Sequence, residues 1–225
     1  MTVWVCDWTH WQGVVVPVKG IADEGYGMVK LKLGGSARDG RYFEDPMFFP
    51  NAVALLREPR LIPAAYWYLM PGRGAAQAGL MYSMLALVDH QTWATFLDVE
   101  HDGVTWRDVF QFAEAWTRLT GRQMALYTRQ NFWQQLGAPI GLGADVFPFL
   151  EEAHWVSDAV RGDRNKPYAS QQAKAIEDSW WSVNYGGWTQ ASMLQFSDNV
   201  MVQGKRTVAS IYRGTKAELR AELFA

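Results

Sequence analysis

The sequence predicts an α/β fold, a single irregular TIM-like barrel of eight strands with helices mainly in the first five units. Strand-like and helix-like stretches alternate in the first part of the chain, which indicates a parallel sheet covered by helices. Eight strand-like runs are the number that closes such a barrel. The later segments 137–144 and 161–167 are rich in glycine or polar residues, so loops rather than full helices are expected to connect the last three strands.

The predicted strands are short apolar or β-branched runs. They cover residues 3–6, 28–33, 63–69, 94–99, 124–127, 154–156, 192–196 and 206–210. Apolar residues at helical spacing predict helices at 51–58, 75–87, 106–119 and 129–136, with a short C-terminal helix at 216–223. Thr105 is the expected N-cap of the helix that begins at residue 106, and Gly121 is its expected stop. Because the 225 residues show no repeat or clear linker, we expect one domain, residues 1–225.

Composition and charge exclude several classes of protein. The net charge of −2 disfavours a nucleic-acid partner, because such proteins carry a basic surface. Cys6 is the single cysteine and the histidines lack metal-ligand spacing, so no disulfide, metal or cofactor is expected. No apolar run approaches the roughly 18 residues of a membrane span, and the first residues do not resemble a signal peptide. We therefore expect a monomer, made in the cytoplasm, without membrane insertion.

Aromatic content is high, with 12 tryptophans and 14% aromatic residues. These rings belong either to a tryptophan-rich core or to a groove for a flat-faced ligand such as a sugar, because ligand pockets are rich in aromatic side chains.

The strongest local signal is a strand-like run that ends in two acids, Asp98 and Glu100. Side chains two residues apart on a strand point the same way, so the two carboxylates repel each other and separate their pKa values. One then stays protonated while the other stays charged, as glycoside hydrolysis requires. The strand ends at the face where barrel active sites lie. The alternative is two solvated acids at a strand end.

Asp7 is the second signal, because it ends the first predicted strand and would reach the same face of the barrel. The alternative for Asp7 is a structural role, in which its carboxylate caps the following loop by accepting from backbone N–H groups.

The chain resembles glycoside hydrolase family 25, the Chalaropsis-type lysozymes, which include many phage endolysins. Eight segments carry the resemblance in order along nearly the whole chain. They are Asp7-Trp8-Thr9-His10-Trp11-Gln12-Gly13, Lys30-Leu31-Lys32-Leu33-Gly34, Asp45-Pro46-Met47-Phe48-Phe49-Pro50-Asn51, Ala64-Ala65-Tyr66-Trp67-Tyr68, Asp98-Val99-Glu100, Tyr127-Thr128, Trp155-Val156 and Leu194-Gln195-Phe196.

The resemblance implies a muramidase that cleaves the β-1,4 bond between N-acetylmuramic acid and N-acetylglucosamine in bacterial peptidoglycan. It implies that Glu100 is the general acid and that Asp98 supports an oxocarbenium-like or oxazoline-like intermediate. Asp7 would orient substrate or raise the pKa of Glu100. The expected sugar-groove residues are Tyr66, Tyr68, Tyr127, Trp155 and Gln195. A phage endolysin that is made in the host cytoplasm and reaches the cell wall through a holin pore fits the lack of a signal peptide.

Three positions depart from the family pattern. Leu33 stands where the family has an acid, Trp67 where it usually has histidine, and Val208 where it usually has aspartate. Asp198, at the end of the seventh predicted strand, is the candidate catalytic substitute for the missing aspartate, the alternative being a loop residue. Two other functions stay open: a glycan-binding wall protein on a degraded barrel, and a glycosidase for another N-acetylated glycan such as chitin. The presence of Asp7, Asp98 and Glu100 favours the muramidase.

Overall fold

The structure is a computed structural model, and it describes residues 2–36, 42–139, 141–154 and 176–225. The strands, in chain order, are β1 (Val3–Trp8), β2 (Tyr26–Ser36), β3 (Tyr42–Glu44), β4 (Ile62–Tyr68), β5 (Ala94–Asp98), β6 (Ala125–Thr128), β7 (Leu150–Ala153), β8 (Ser182–Tyr185), β9 (Trp188–Gln190), β10 (Met193–Val202) and β11 (Lys205–Tyr212). The helices are α1 (Val18–Asp23), α2 (Phe48–Leu55), α3 (Gly74–Ala86), α4 (Trp106–Thr120), α5 (Gln130–Gln135), α6 (Leu142–Val146) and α7 (Lys216–Leu223).

The main sheet closes on itself into a barrel. Its order is β1-β11-β10-β7-β6-β5-β4-β2, and a parallel pairing of β1 with β2 completes the ring. Strand β11 runs antiparallel to both of its neighbours, whereas the other ring pairings are parallel. Strand β3 extends the end of β2 outside the ring, and β8 and β9 form a separate hairpin. The predicted eight-stranded α/β barrel is confirmed.

The connections differ between the two parts of the chain, as predicted. Helices α2 to α6 lie in the crossovers between β2 and β7. By contrast, β10 and β11 are joined by the two residues Gln203 (φ 49°) and Gly204 (φ 73°), the left-handed pair that a tight hairpin turn requires. Thr105 caps α4 through a reciprocal hydrogen-bond pair with Asp108, and Gly121 ends the helix with φ 73°, so both predicted signals are confirmed.

Two predicted elements are displaced in the structure. Strand β7 lies at Leu150–Ala153, before the strand predicted at 154–156. His154 follows β7 and is not part of it, and residues 155–156 lie outside the described ranges. Strand β7 does not form an apolar run in the sequence, because two of its four residues are glutamates. Both glutamates are buried in the structure. Helix α2 begins at Phe48, three residues before the predicted start, because Pro50 in its first turn is compatible with a helix.

Side chains that face the barrel interior change from apolar to polar along each strand. Near the start of the strands, residues such as Val5 and Met28 pack with Leu219 and Leu223 of α7, which closes this end of the barrel. Two positions further on, the interior carries Asp7 and polar groups from the other strands. The polar layer therefore lies at the carboxyl ends of the parallel strands, where barrel active sites form.

The outer surface of the barrel packs against the helices in a second apolar layer. Trp8, Trp67, Trp93 and Trp116 are among its fully buried side chains, so a large share of the tryptophan content serves the core. Within the described ranges, no helix is both long and apolar enough to cross a membrane.

Candidate active site

A cavity of about 170 Å³ lies in the polar layer of the barrel interior. Its described lining consists of Asp7, Lys30, Tyr66, Phe96, Asp98, Glu100, Tyr127, Gln195, Asp198 and Val208. The structure thus brings together all four predicted catalytic carboxylates and three of the five predicted groove residues. These side chains come from strands that are far apart in sequence but neighbours in the ring.

Asp98 and Glu100 reach the cavity from the end of β5. Asp98 is buried, and its Oδ1 has no hydrogen-bond partner among the described residues. Burial and the Glu100 carboxylate raise the pKa of Asp98 well above its ordinary value, against the opposing effect of Lys32 and Lys30.

Glu100 is held by two residues from the end of β6. The Arg129 guanidinium donates to Glu100 Oε1 from Nη2 at 3.0 Å and from Nε at 3.3 Å, and the Tyr127 hydroxyl lies 3.4 Å from the same oxygen. Arg129 was not among the predicted site residues. The sequence feature that could have indicated Arg129 is its position directly after the Tyr127-Thr128 pair, at the end of a strand.

The predicted groove residues occupy three different positions. Tyr66 and Tyr127 line the cavity, and the Tyr127 hydroxyl donates to Gln195 Oε1 at 2.7 Å. Tyr68 lies two residues further along β4, outside the described cavity lining, with Lys32 Nζ 5.5 Å from its ring centroid. Trp155 lies outside the described residues.

A buried ion-pair network forms the floor of the cavity. Lys30 Nζ donates to both carboxylate oxygens of Glu151, at 2.8 and 2.7 Å, and lies 3.2 Å from Asp7 Oδ1. Ser210 Oγ donates to Glu151 Oε1 at 2.6 Å. Burial is the main cause that raises the pKa of Asp7 to about 7, with Lys30 opposing it and Glu151 adding to it. None of Lys30, Glu151 and Ser210 was among the predicted site residues.

The three departures from the family pattern differ in where they lie. Leu33 and Trp67 belong to the outer apolar layer, and Trp67 Nε1 donates to Gln77 on α3 at 3.1 Å. These two replacements therefore face away from the cavity. Val208 lines the cavity, so it is the departure that touches the site.

Asp198 reaches the cavity through an irregularity in β10. Ser197 pairs with Ala209 and Val200 pairs with Thr207, so two residues of β10, Asp198 and Asn199, lie opposite the single residue Val208 of β11. Such a bulge redirects side chains and is common beside active sites. The structure therefore places the Asp198 carboxylate next to the position where an aspartate is missing.

The fold and the site define the class of protein. Several carboxylates, together with tyrosines and an amide, converge at the carboxyl ends of an eight-stranded α/β barrel, as in barrel glycoside hydrolases. The chain belongs to the glycosyl hydrolases family 25, whose model matches residues 6–205. It is therefore a glycoside hydrolase.

Solved structures with the same fold share little sequence identity with the chain. A bacterial lysozyme from Streptomyces coelicolor matches with a TM-score of 0.74 and 18% identity, over 99% of this chain and 97% of the other. A muramidase from Trichobolus zukalii matches with a TM-score of 0.72 and 19% identity, over 99% of both chains. The catalytic domain of endolysin ply40 from Listeria monocytogenes bacteriophage P40 matches at 0.64 and 16%, over 100% and 98%. No curated protein sequence matches the chain.

Proposed function

We propose that this glycoside hydrolase is a muramidase that cleaves bacterial peptidoglycan at the β-1,4 bond between N-acetylmuramic acid and N-acetylglucosamine. The observation that carries the proposal is the convergence of Asp7, Asp98 and Glu100 in one cavity at the carboxyl ends of the strands. Family membership and the similarity to a lysozyme and a muramidase support the choice of substrate.

The proposed reaction uses Glu100 as general acid. Glu100 gives its proton to the glycosidic oxygen, the bond from that oxygen to the sugar C1 breaks, and the acetamido oxygen of the same sugar attacks C1. The resulting oxazoline-like intermediate is opened by water, whose proton returns to Glu100. Such assistance by the substrate is a recognised alternative to a protein nucleophile.

Asp98 is suited to the acetamido group of that sugar. Its buried Oδ1 borders the cavity and has no partner among the described residues, so it offers an acceptor for the N–H of the substrate. A buried acceptor without a donor is costly, and an incoming N–H would remove that cost. Because a donated hydrogen bond favours the ionised form of a carboxyl group, the bound N–H would counter the effect of burial on Asp98. The ionised Asp98 would then stabilise the positive charge that develops on the acetamido group as its oxygen attacks.

The remaining cavity residues would orient the glycan. We assign Tyr66, Tyr127 and Gln195 to sugar contacts, because aromatic faces and polar tips suit saccharides. Tyr68 and Trp155 stay predicted groove residues, and Asp198 stays the predicted catalytic substitute for the aspartate missing at Val208.

The biological setting is part of the same proposal. We assign the activity to one catalytic domain, residues 1–225, that acts as a monomer on the cell wall. A phage endolysin released through a holin pore is the setting we favour, and the similarity to the ply40 catalytic domain supports it.

The proposal is tested by digesting purified peptidoglycan with the wild type and with Glu100→Gln, followed by mass spectrometry of the fragments. We expect fragments with reducing-end N-acetylmuramic acid from the wild type and none from the variant. Glu114→Gln is the matched control, because Glu114 is an exposed residue of α4 that pairs with Arg118, and it should behave like the wild type.

Three other results would contradict the proposal in different ways. Reducing-end N-acetylglucosamine would move the cleaved bond. Cleavage of chitin oligosaccharides without cleavage of peptidoglycan would change the substrate. Binding to the wall without release of fragments by the wild type would favour a glycan-binding protein.

A further inference from the structure

Lys30 is buried inside the barrel, with only 2% of its surface exposed. An ammonium group has three N–H donors, and three carboxylate oxygens surround this one. Two belong to Glu151 and accept hydrogen bonds at 2.8 and 2.7 Å. The third is Asp7 Oδ1, which lies 3.2 Å away as an ion pair and has no hydrogen-bond partner among the described residues. The single positive charge is therefore shared unequally between two carboxylates, with Asp7 at the longer distance.

Glu151 is built into the site as firmly as Lys30. It is fully buried, and Ser210 donates to its Oε1 at 2.6 Å. A buried carboxylate is tolerated only when it is paired and hydrogen-bonded, and Lys30 with Ser210 supplies both conditions. Glu151 does not line the cavity described above, so direct contact with substrate is not its role.

We infer that Glu151 is a positioning residue of the active site, which holds the Lys30 ammonium away from Asp7 and so keeps Asp7 able to exchange a proton beside the substrate. This inference rests on the proposed function, since it gives Asp7 a part in that reaction. A single lysine can fully neutralise one neighbouring carboxylate, and Glu151 takes most of that interaction.

The charges around Asp7 agree with this arrangement. Burial is the largest cause that raises the pKa of Asp7 to about 7; Lys30 lowers it, whereas Glu151 and Glu100 raise it. The titratable or charged groups that face this part of the interior are Lys30 on β2, Tyr66 on β4, Asp98 and Glu100 at the end of β5, Tyr127 on β6, Glu151 on β7 and Asp198 on β10. Of these groups, Glu151 is the one that competes with Asp7 at 2.7 Å for the buried cation.

Two substitutions should therefore move the titration of Asp7 in opposite directions. Glu151→Gln keeps the shape of the side chain but removes its charge, so Lys30 acts fully on Asp7 and the titration midpoint falls by about one pH unit. Lys30→Gln removes the cation, and the midpoint rises. The midpoint is read from the carboxyl carbon signal of ¹³C-labelled aspartate in the substrate-free protein, assigned with Asp7→Asn.

The pH profile of peptidoglycan cleavage supplies a second readout. The limb of the profile that disappears in Asp7→Asn should move to lower pH in Glu151→Gln and to higher pH in Lys30→Gln. Glu152→Gln is the matched control: it removes the next carboxyl of β7, which accepts from the Tyr185 hydroxyl instead. This control should leave the Asp7 midpoint unchanged.

The inference is overturned if the Asp7 midpoint stays within the control range in both variants, or moves in the same direction in both. If thermal melting shows that one variant does not fold, the inference is tested by the direction in which the Asp7 midpoint shifts in the other variant. A wild type that releases no peptidoglycan fragments would refute the proposed function, whereas the carboxyl titrations would still test the inference.

Discussion

The lower and upper halves of the barrel interior come from the same strands, at positions two residues apart, yet their chemistry is opposite. Val5 is followed by Asp7 on β1, Met28 by Lys30 on β2, and Phe96 by Asp98 on β5. The lower members pack with α7 in an apolar cluster, and Phe96 also forms an apolar part of the cavity wall. The upper members are the charged groups that border the cavity. On these three strands, the side chains that pack the core and those that carry charge into the site are therefore separated by two residues.

The two halves also differ in what they contribute to folding. The lower half removes apolar surface from water, which is the main favourable term in folding. The upper half buries carboxylates, and two of them, Asp7 and Asp98, each have an oxygen without a hydrogen-bond partner among the described residues. Such groups are costly to bury. The lower half therefore stabilises a fold that the site destabilises.

The substitution Asp98→Asn, in the upper half of the barrel, should have the largest effect on activity. Loss of the Asp98 carboxylate, which is proposed to stabilise the charge on the acetamido group, should lower kcat/KM for peptidoglycan by about 10²–10³-fold. Because the buried carboxylate is replaced by a neutral side chain of the same shape, the melting temperature should stay the same or rise. Kinetics of fragment release and thermal melting of the same preparation check both parts; a clear fall in melting temperature would contradict the separation.

Met28→Ala tests the lower half of the barrel. Met28 is fully buried, and truncation of such a side chain should cost about 2–5 kcal/mol of the free energy of unfolding. Urea denaturation measures the loss. At low temperature, where the variant is folded, its kcat/KM should be close to that of the wild type; a loss as large as that of Asp98→Asn would show that the halves are not separable.

A smaller effect is expected at the bulge of β10. Asp198→Asn should lower kcat/KM about tenfold, which corresponds to about 1.4 kcal/mol. Adding Val208→Asp should recover most of the loss, because residue 208 lies opposite the bulge and lines the same cavity. Asn199→Ser, the neighbouring change in the bulge, is the control; equal losses in Asp198→Asn and Asn199→Ser would indicate a structural role for the bulge alone.

Much of the barrel could be predicted because strands buried on both faces form apolar runs that are visible in sequence. Strand β7 was not predicted at its position in the structure, for the opposite reason. Its glutamates have partners far away in the chain: Lys30 neutralises Glu151, and the Tyr185 hydroxyl donates a hydrogen bond to Glu152. No local pattern reveals such partners, so the strand was predicted a few residues too late.

The candidate site was predictable to the extent that its residues end strands. Asp7, Asp98 and Glu100 could be proposed from that position alone. The contact of Arg129 with Glu100 depends on a tertiary approach, and the position of Asp198 opposite Val208 depends on the register of a bulge. Both are properties of the folded chain that strand periodicity does not encode.

A crystal structure of Glu100→Gln with a bound peptidoglycan tetrasaccharide tests the roles of Glu100 and Asp98 most directly. We expect the glycosidic oxygen within about 2.6–3.2 Å of the residue 100 side chain, and the acetamido N–H of the adjoining sugar donating to Asp98. A saccharide bound outside the polar half of the barrel interior, with residues 98 and 100 out of its reach, would show that these two residues do not have the proposed roles.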